Sequence, residues 1–272
     1  MKIDYALMDP TGNMTVLVET PVPMASQPFC ASRLMELEPT AEQVGFLSPG
    51  TAGDCDTALR MAGGEFCGNA AMSAAALFCL RRKTAGGTVY VRVSGAEDPV
   101  RVTLHRAEGG GFSCEVKMPR PKRVTEYAGC PLVELPGISH MIVTEAMTRD
   151  AAEREVKRRC AELDADALGL MLLDEAEDRL TPLVYVPGAD TLYWENSCAS
   201  GTAAVGAYLA GREGRTITRT LAEPAGALGV TAEPAGAPLL RGRVLLRREA
   251  FAELTFSTDV EFSTGASSTT TT

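Results

Sequence analysis

Two cysteines in this chain sit where acid–base chemistry is favoured. Cys67 lies in Gly63-Gly-Glu-Phe-Cys-Gly-Asn69, directly ahead of the small-residue run Ala70–Leu77. Cys198 lies in Asn196-Ser-Cys-Ala-Ser-Gly-Thr202, ahead of Ala203-Ala-Val-Gly-Ala207. Glycines break the chain before or around each cysteine, and the alanine-rich runs that follow are good helix formers. Each thiol is therefore expected just outside a helix N-terminus. Asn69 is the expected cap of the first helix, and Ser200 or Thr202 that of the second. Unpaired amides and the positive end of the dipole there stabilise a thiolate and bind an anion.

Two such devices in one chain suggest a duplicated fold whose copies face each other. An amino acid between two opposed helix N-termini would give its α-carboxylate to their amides, which also stabilise charge that develops there as the α-proton leaves. A thiolate on one face removes that proton and a thiol on the other returns one, inverting the α-carbon. A free thiol ionises near about 8.5, and a helix N-terminus lowers that by a unit or more, so the pair is expected to titrate near neutral pH, as a coupled unit. An isolated buried cysteine is ordinarily an inert small hydrophobe. Repetition of the glycine-flanked setting separates Cys67 and Cys198 from the other cysteines, including Cys79 within the first helix.

The elements that must position these thiols follow one order in both halves: strands, cysteine turn, alanine-rich helix, more strands. Lys2–Met8 and Met14–Glu19 read as a hairpin, followed by a short helix near Ala31–Leu37 and strands at Val44–Leu47 and Asp56–Met61. After the Cys67 helix, Thr88–Val93, Val100–His105 and Phe112–Met118 read as a meander. The second half offers a strand at Met141–Val143, an amphipathic charged helix over Arg149–Glu162, and strands at Leu168–Leu173, Leu183–Val186 and Thr191–Glu195. Beyond the Cys198 helix, which is expected to end at Gly211, come Thr216–Leu221, Leu228–Ala232, Leu239–Arg247 and Ala252–Phe256. The Ala70–Leu80 helix carries no charge and must be enclosed. The expected fold is α+β: two pseudo-symmetric lobes, each a curved, mostly antiparallel sheet or barrel around a central helix, with a cleft between them. The lobes are expected over residues 1–121 and 122–257. Residues 258–272 are expected to hold the last strand and a disordered serine- and threonine-rich tail.

Composition narrows the function classes. The 272 residues carry a formal net charge of −9, which disfavours a nucleic-acid partner. No run approaches the roughly 18 apolar residues of a membrane span, and the N-terminus lacks a signal-peptide core, so a cytoplasmic protein with no membrane partner is expected. The 8 cysteines include no C-x-x-C pair and the 2 histidines are far apart, which argues against a metal site or a disulfide framework.

These residues resemble the diaminopimelate epimerase superfamily of cofactor-independent racemases and epimerases, over nearly the whole chain. Glu65-Phe-Cys-Gly-Asn69 is similar to the family motif Glu-x-Cys-Gly-Asn. Thr11-Gly-Asn13 resembles the N-terminal Gly-Asn whose asparagine contacts substrate. Gly137-Ile-Ser-His140 resembles Gly-Asn-Pro-His, whose histidine lies by the catalytic centre, and Glu195 followed by Cys198 resembles the second catalytic pair. The resemblance implies catalytic roles for Cys67, Cys198, His140 and Glu195. It implies substrate contacts from Asn13, Gly68, Asn69, Ala199, Ser200, Gly201 and Tyr185. It also implies a homodimer acting on a small-molecule amino-acid substrate with neither pyridoxal phosphate nor metal.

The departures narrow it further. Asn196 stands where diaminopimelate epimerases place an arginine, whose two-pronged donor grips a distal carboxylate. Ile138 replaces an asparagine, and Tyr185 stands at the family's Thr-Asn-Val position. The runs around both cysteines resemble the histidine racemase branch more than the diaminopimelate epimerases. The competing expectations are a diaminopimelate epimerase and, from another class, a non-catalytic binding or dimerisation paralogue.

Overall fold

The computed structural model describes residues 1–255. The first half of the chain forms β1 (Lys2–Pro10), β2 (Thr15–Val18), α1 (Gln27–Leu37), β3 (Gln43–Pro49), β4 (Thr57–Met61), α2 (Gly68–Arg82), β5 (Gly86–Val93), β6 (Val100–Arg106) and β7 (Phe112–Lys117). The second half forms β8 (Arg123–Tyr127), β9 (Cys130–Leu135), β10 (Ile138–Val143), α3 (Arg149–Leu163), β11 (Leu168–Asp174), β12 (Arg179–Val186), β13 (Thr191–Trp194), α4 (Ala199–Glu213), β14 (Ile217–Glu223), β15 (Gly226–Ala232) and β16 (Leu239–Glu253).

With β8 set aside and β13 treated as an insertion, the halves repeat one plan. A hairpin leads through an outer helix to a parallel strand (β2 to β3 across α1; β10 to β11 across α3). A second antiparallel pair then leads through an inner helix to another parallel partner (β4 to β5 across α2; β12 to β14 across α4). The expected α+β architecture of two pseudo-symmetric lobes around central helices is therefore what forms.

Strands β1 to β7 follow one another in order, and β16 pairs with both β7 and β1, closing an eight-stranded barrel around α2. From β16 the sheet continues through β15, β14, β12, β11, β10 and β9 to β8, with α4 packed inside its curve. Leu239–Arg247 and Ala252–Phe256, expected as two strands, are one strand up to Glu253; Phe256 lies outside the described residues. This long strand joins the halves. Residues 239–241 pair with β15, and residues 244–253 pair with β1. The first barrel thus draws its closing strand from beyond residue 121. Residues 258–272, with the expected tail, lie outside the described residues.

Burial explains the helices. In α2 every residue from Gly68 to Leu77 is buried, as an uncharged helix with no polar face requires. In α3 only Ala152, Val156 and Cys160 are buried, one stripe at four-residue spacing. Its charged side faces water, where Arg158 pairs with Glu162 at 2.8 Å. The inner helices share one apolar cluster with Met8, Leu104, Phe112, Leu180 and Val230, whereas α1 and α3 each cover a separate cluster outside the sheet. Helix α4 runs through Gly211 and stops at Gly214, which takes the left-handed conformation that ends helices. Among the described residues, no helix is long and apolar enough to cross a membrane.

Candidate active site

The inner helices meet head to head. A Cβ built on Gly68, the first residue of α2, would lie 3.1 Å from the Cβ of Ala199, the first residue of α4. The Asn69 side chain crosses the junction and donates to the Ser197 carbonyl at 3.2 Å. The turns that flank the heads also touch. Gly12, at φ +94°, approaches so closely that an added Cβ would sit 2.4 Å from that of Ala225.

Each cysteine is itself the cap. Cys67 and Cys198 hold the extended N-cap conformation, and their sulfurs accept from the amides of Ala70 at 3.4 Å and Gly201 at 3.3 Å. The expected caps, Asn69, Ser200 and Thr202, lie two to four residues further in and serve other partners. The sulfur occupies the place that an oxygen takes in an ordinary cap because the cysteine is the last extended residue before the first helical one.

Burial overrides the helix dipole at both thiols, which corrects the expectation that they ionise near neutral pH. Cys67 keeps some surface, yet burial of its surroundings pushes it up to about 12 against the pull of the Ala70 amide. Cys198 is raised well above its ordinary value, first by burial and then by the charge of Glu195. A thiol so raised is rarely ionised alone, but its thiolate is a correspondingly stronger base for a weakly acidic carbon.

The direct hydrogen-bond partners of Cys67 are neutral, while the more distant charges of Glu65 and Glu195 add to the effect of burial in raising it. Its Sγ donates to Gln43 Oε1 at 3.1 Å, and the Gln43 amide donates to Asn13 Oδ1 and to Thr15 Oγ1. Asn13 is buried and donates to Glu42 Oε2 at 2.6 Å. Asn196 reaches across from the second half and donates to Glu42 Oε1, also at 2.6 Å. Two asparagines thus hold one carboxyl from opposite halves, and burial raises its pKa. Glu65 turns back to the main chain at Gly63.

Around Cys198 the partners are acidic or ionisable. Glu195 is hydrogen-bonded to the thiol, and burial raises it to about 7. Ser200 Oγ lies 3.5 Å from Cys198 Sγ and 3.0 Å from His140 Nε2. Burial lowers His140 to about 3, so its ring is neutral and serves as a hydrogen-bond terminus to Ser200. Glu223 Oε2 accepts from the Cys198 amide at 2.6 Å.

The structure therefore brings together Asn13, Cys67, Gly68, Asn69, His140, Glu195, Cys198, Ala199, Ser200 and Gly201. Tyr185 is elsewhere. On β12 the alternation sends Val184 into the cluster around α4 and Tyr185 to the other face, where Lys157 of α3 lies 5.3 Å from its ring centre. Sequence reasoning missed Glu42, Gln43 and Glu223. For Glu223 a signal was present: period-2 alternation from Ile217 through Leu221 puts it on the buried face. Among the described residues, no group of three or more His, Cys, Asp or Glu side chains is placed to hold a metal ion.

Comparison with known proteins gives a consistent picture. A family model described as "Histidine racemase CntK N-terminal domain" matches residues 2–239. The histidine racemase of Staphylococcus aureus (strain Mu50) is 30% identical over 220 residues, 76% of this chain and 79% of that protein. The histidine racemase of Fusobacterium nucleatum subsp. nucleatum is 32% identical over 222 residues, 76% of this chain and 81% of that protein. Among solved structures, a predicted epimerase from Pseudomonas aeruginosa superposes with a TM-score of 0.69 at 18% identity, covering 94% of this chain and all of that one. A probable proline racemase from Agrobacterium radiobacter K84 gives 0.65 at 14% identity, covering 95% and 94%. At these identities the structural likenesses speak for the fold.

Proposed function

The chain belongs to the CntK histidine racemase family, and on that premise we propose that it interconverts the enantiomers of histidine by two-base proton transfer between Cys67 and Cys198. The observation that carries this reading is the head-to-head meeting of two cysteine-capped helices. The amides at the two heads receive the α-carboxylate, and the thiols flank the α-carbon. In one direction the Cys67 thiolate takes the α-hydrogen as a proton, and the electron pair moves onto the carboxylate under the helix heads. The Cys198 S–H then delivers a proton to the opposite face. The enzyme is left with a Cys67 thiol and a Cys198 thiolate, the state that serves the reverse direction. Glu195, bonded to Cys198 and raised into the neutral range, is the group through which that thiol exchanges protons between turnovers.

The acidic lining selects the side chain. Glu42, oriented by Asn13 and Asn196, stands beside the Gln43–Cys67 pair, and its charge is felt by Glu195. A carboxylate there accepts an N–H from an imidazole or from an ammonium, and repels the distal carboxylate of diaminopimelate. A positive substrate also offsets the burial that raises the thiols. The family comparisons do not favour the diaminopimelate alternative. The same reading takes the protein to be a cytoplasmic homodimer.

Chiral chromatography of an amino-acid panel, including histidine, lysine, arginine, proline and meso-diaminopimelate, tests the reading. Racemisation of histidine well above the others is expected. Preference for diaminopimelate, or no racemisation of any member, would overturn it.

A further inference from the structure

Glu223, the last residue of β14, has no step in the proton transfer above. The residue is 7% exposed, and its side chain spans the head of α4. Oε2 accepts from the Cys198 amide at 2.6 Å, and Oε1 is bonded to Thr202 Oγ1 at 2.5 Å. The corresponding point in the first half, just past β5, holds Ser94. Its hydroxyl donates to the Glu65 carbonyl at 2.8 Å and accepts from the Met61 amide at 2.9 Å. A neutral side chain suffices at one head, and a buried carboxyl, with its desolvation cost, stands at the other.

We propose that Glu223 is a positioning residue of the racemase, which fixes the first turn of α4 and, once ionised, disfavours a Cys198 thiolate relative to a Cys67 thiolate. For its consequence in turnover this rests on the racemase reading. A carboxylate on the leading amide of α4 offsets the helix charge that would otherwise favour a Cys198 thiolate. It also places a second negative charge beside Glu195 and Cys198. Burial raises Glu223 itself to about 8, so it is charged across the alkaline range in which a raised thiol ionises. The groups that face it are Cys198 at the cap of α4, Thr202 within α4 and Glu195 from the turn before it. Its β15 partner is the uncharged Gly226, and Asp9 at the neighbouring end of β1 is committed to Arg247 and the Gly12 amide.

Glu223→Gln keeps an oxygen for the Cys198 amide and an NH2 for Thr202 while removing the charge. The test is the pH dependence of iodoacetamide alkylation at Cys67 and Cys198, read by peptide mass spectrometry without substrate. In E223Q the Cys198 curve is expected to move about one unit to lower pH, so that alkylation below the midpoint rises about ten-fold, while the Cys67 curve stays. Glu223→Asp, which keeps the charge, is expected to leave the Cys198 curve high. Should E223Q not fold, Glu223→Ser supplies the neutral replacement and is read the same way. The proposal is overturned if the Cys198 curve does not move, if both thiols move together, or if E223D behaves like the neutral variant. Alkylation needs no turnover, so a failed racemase reading would show separately, as absence of α-proton exchange in the wild type.

Discussion

The two helix heads are built alike and furnished differently. Both are capped by a cysteine sulfur that accepts an amide from the helix's first turn. Cys67 then meets a carboxamide, Gln43, whereas Cys198 meets Glu195, Glu223 and the Ser200–His140 pair. A repeated backbone gives two thiols the same geometry, and the side chains around them give each a different proton affinity. Symmetry of position with asymmetry of charge suits a site that must begin each turnover with one thiol ionised and the other not.

The comparison is broken most severely by removing either sulfur. Cys67→Ala and Cys198→Ala are each expected to lower histidine racemisation by about 10³-fold or more, measured by polarimetry, because neither thiol substitutes for the other. If one variant kept substantial activity, the halves would not be partners. Gln43→Leu, which removes the neutral hydrogen bond to Cys67, is expected to cost about ten-fold in kcat and to leave Cys198 alkylation unchanged. An equal change at both thiols would mean that the two environments are not separate.

Smaller effects probe the junction and its charge. A Cβ on Gly68 would lie 2.8 Å from Met118 Sδ as well as against Ala199. Gly68→Ala is accordingly expected to destabilise the fold by about 1–3 kcal/mol in urea unfolding, the overpacking range. The pH dependence of stability is expected to follow the acidic half. Glu195 rises from 4.5 to about 7 on folding, so the native state holds its proton more tightly than the unfolded chain does. That stabilisation is full below 4.5 and is lost as pH rises through 7. Glu195→Gln is expected to flatten the fall in Tm across this window, and an unchanged slope would place the raised carboxyl elsewhere.

Much of this was legible in the sequence, for definable reasons. The duplicated plan followed from two glycine-flanked cysteines ahead of uncharged helices, since a helix apolar on all faces has to lie inside a sheet. Hairpins and the charged stripe of α3 followed from period and composition. The caps were misplaced because asparagine, serine and threonine are the usual capping residues, and nothing local says that a sulfur takes their place. Glu42 and Gln43 were hidden because their role depends on Asn13 and Asn196, which lie 29 and 154 residues away from Glu42 and meet it only in the folded chain. Tyr185 stands at a family site position, but strand alternation on β12 turns it outward toward α3, and motif position alone does not show which face of a strand a residue takes. The thiol pKa was misjudged because dipole effects are local and readable, whereas desolvation depends on everything packed around the site.

The most direct test of a two-sulfur exchange is the isotopic pattern at early conversion in D2O. Starting from L-histidine, deuterium is expected at the α-carbon of the D-enantiomer formed, while recovered L-histidine stays unlabelled, because the proton taken by one thiol and the deuteron given by the other never mix on one face. Deuterium appearing equally in both enantiomers from the first turnovers would contradict the account, since a single group would then be handling both faces.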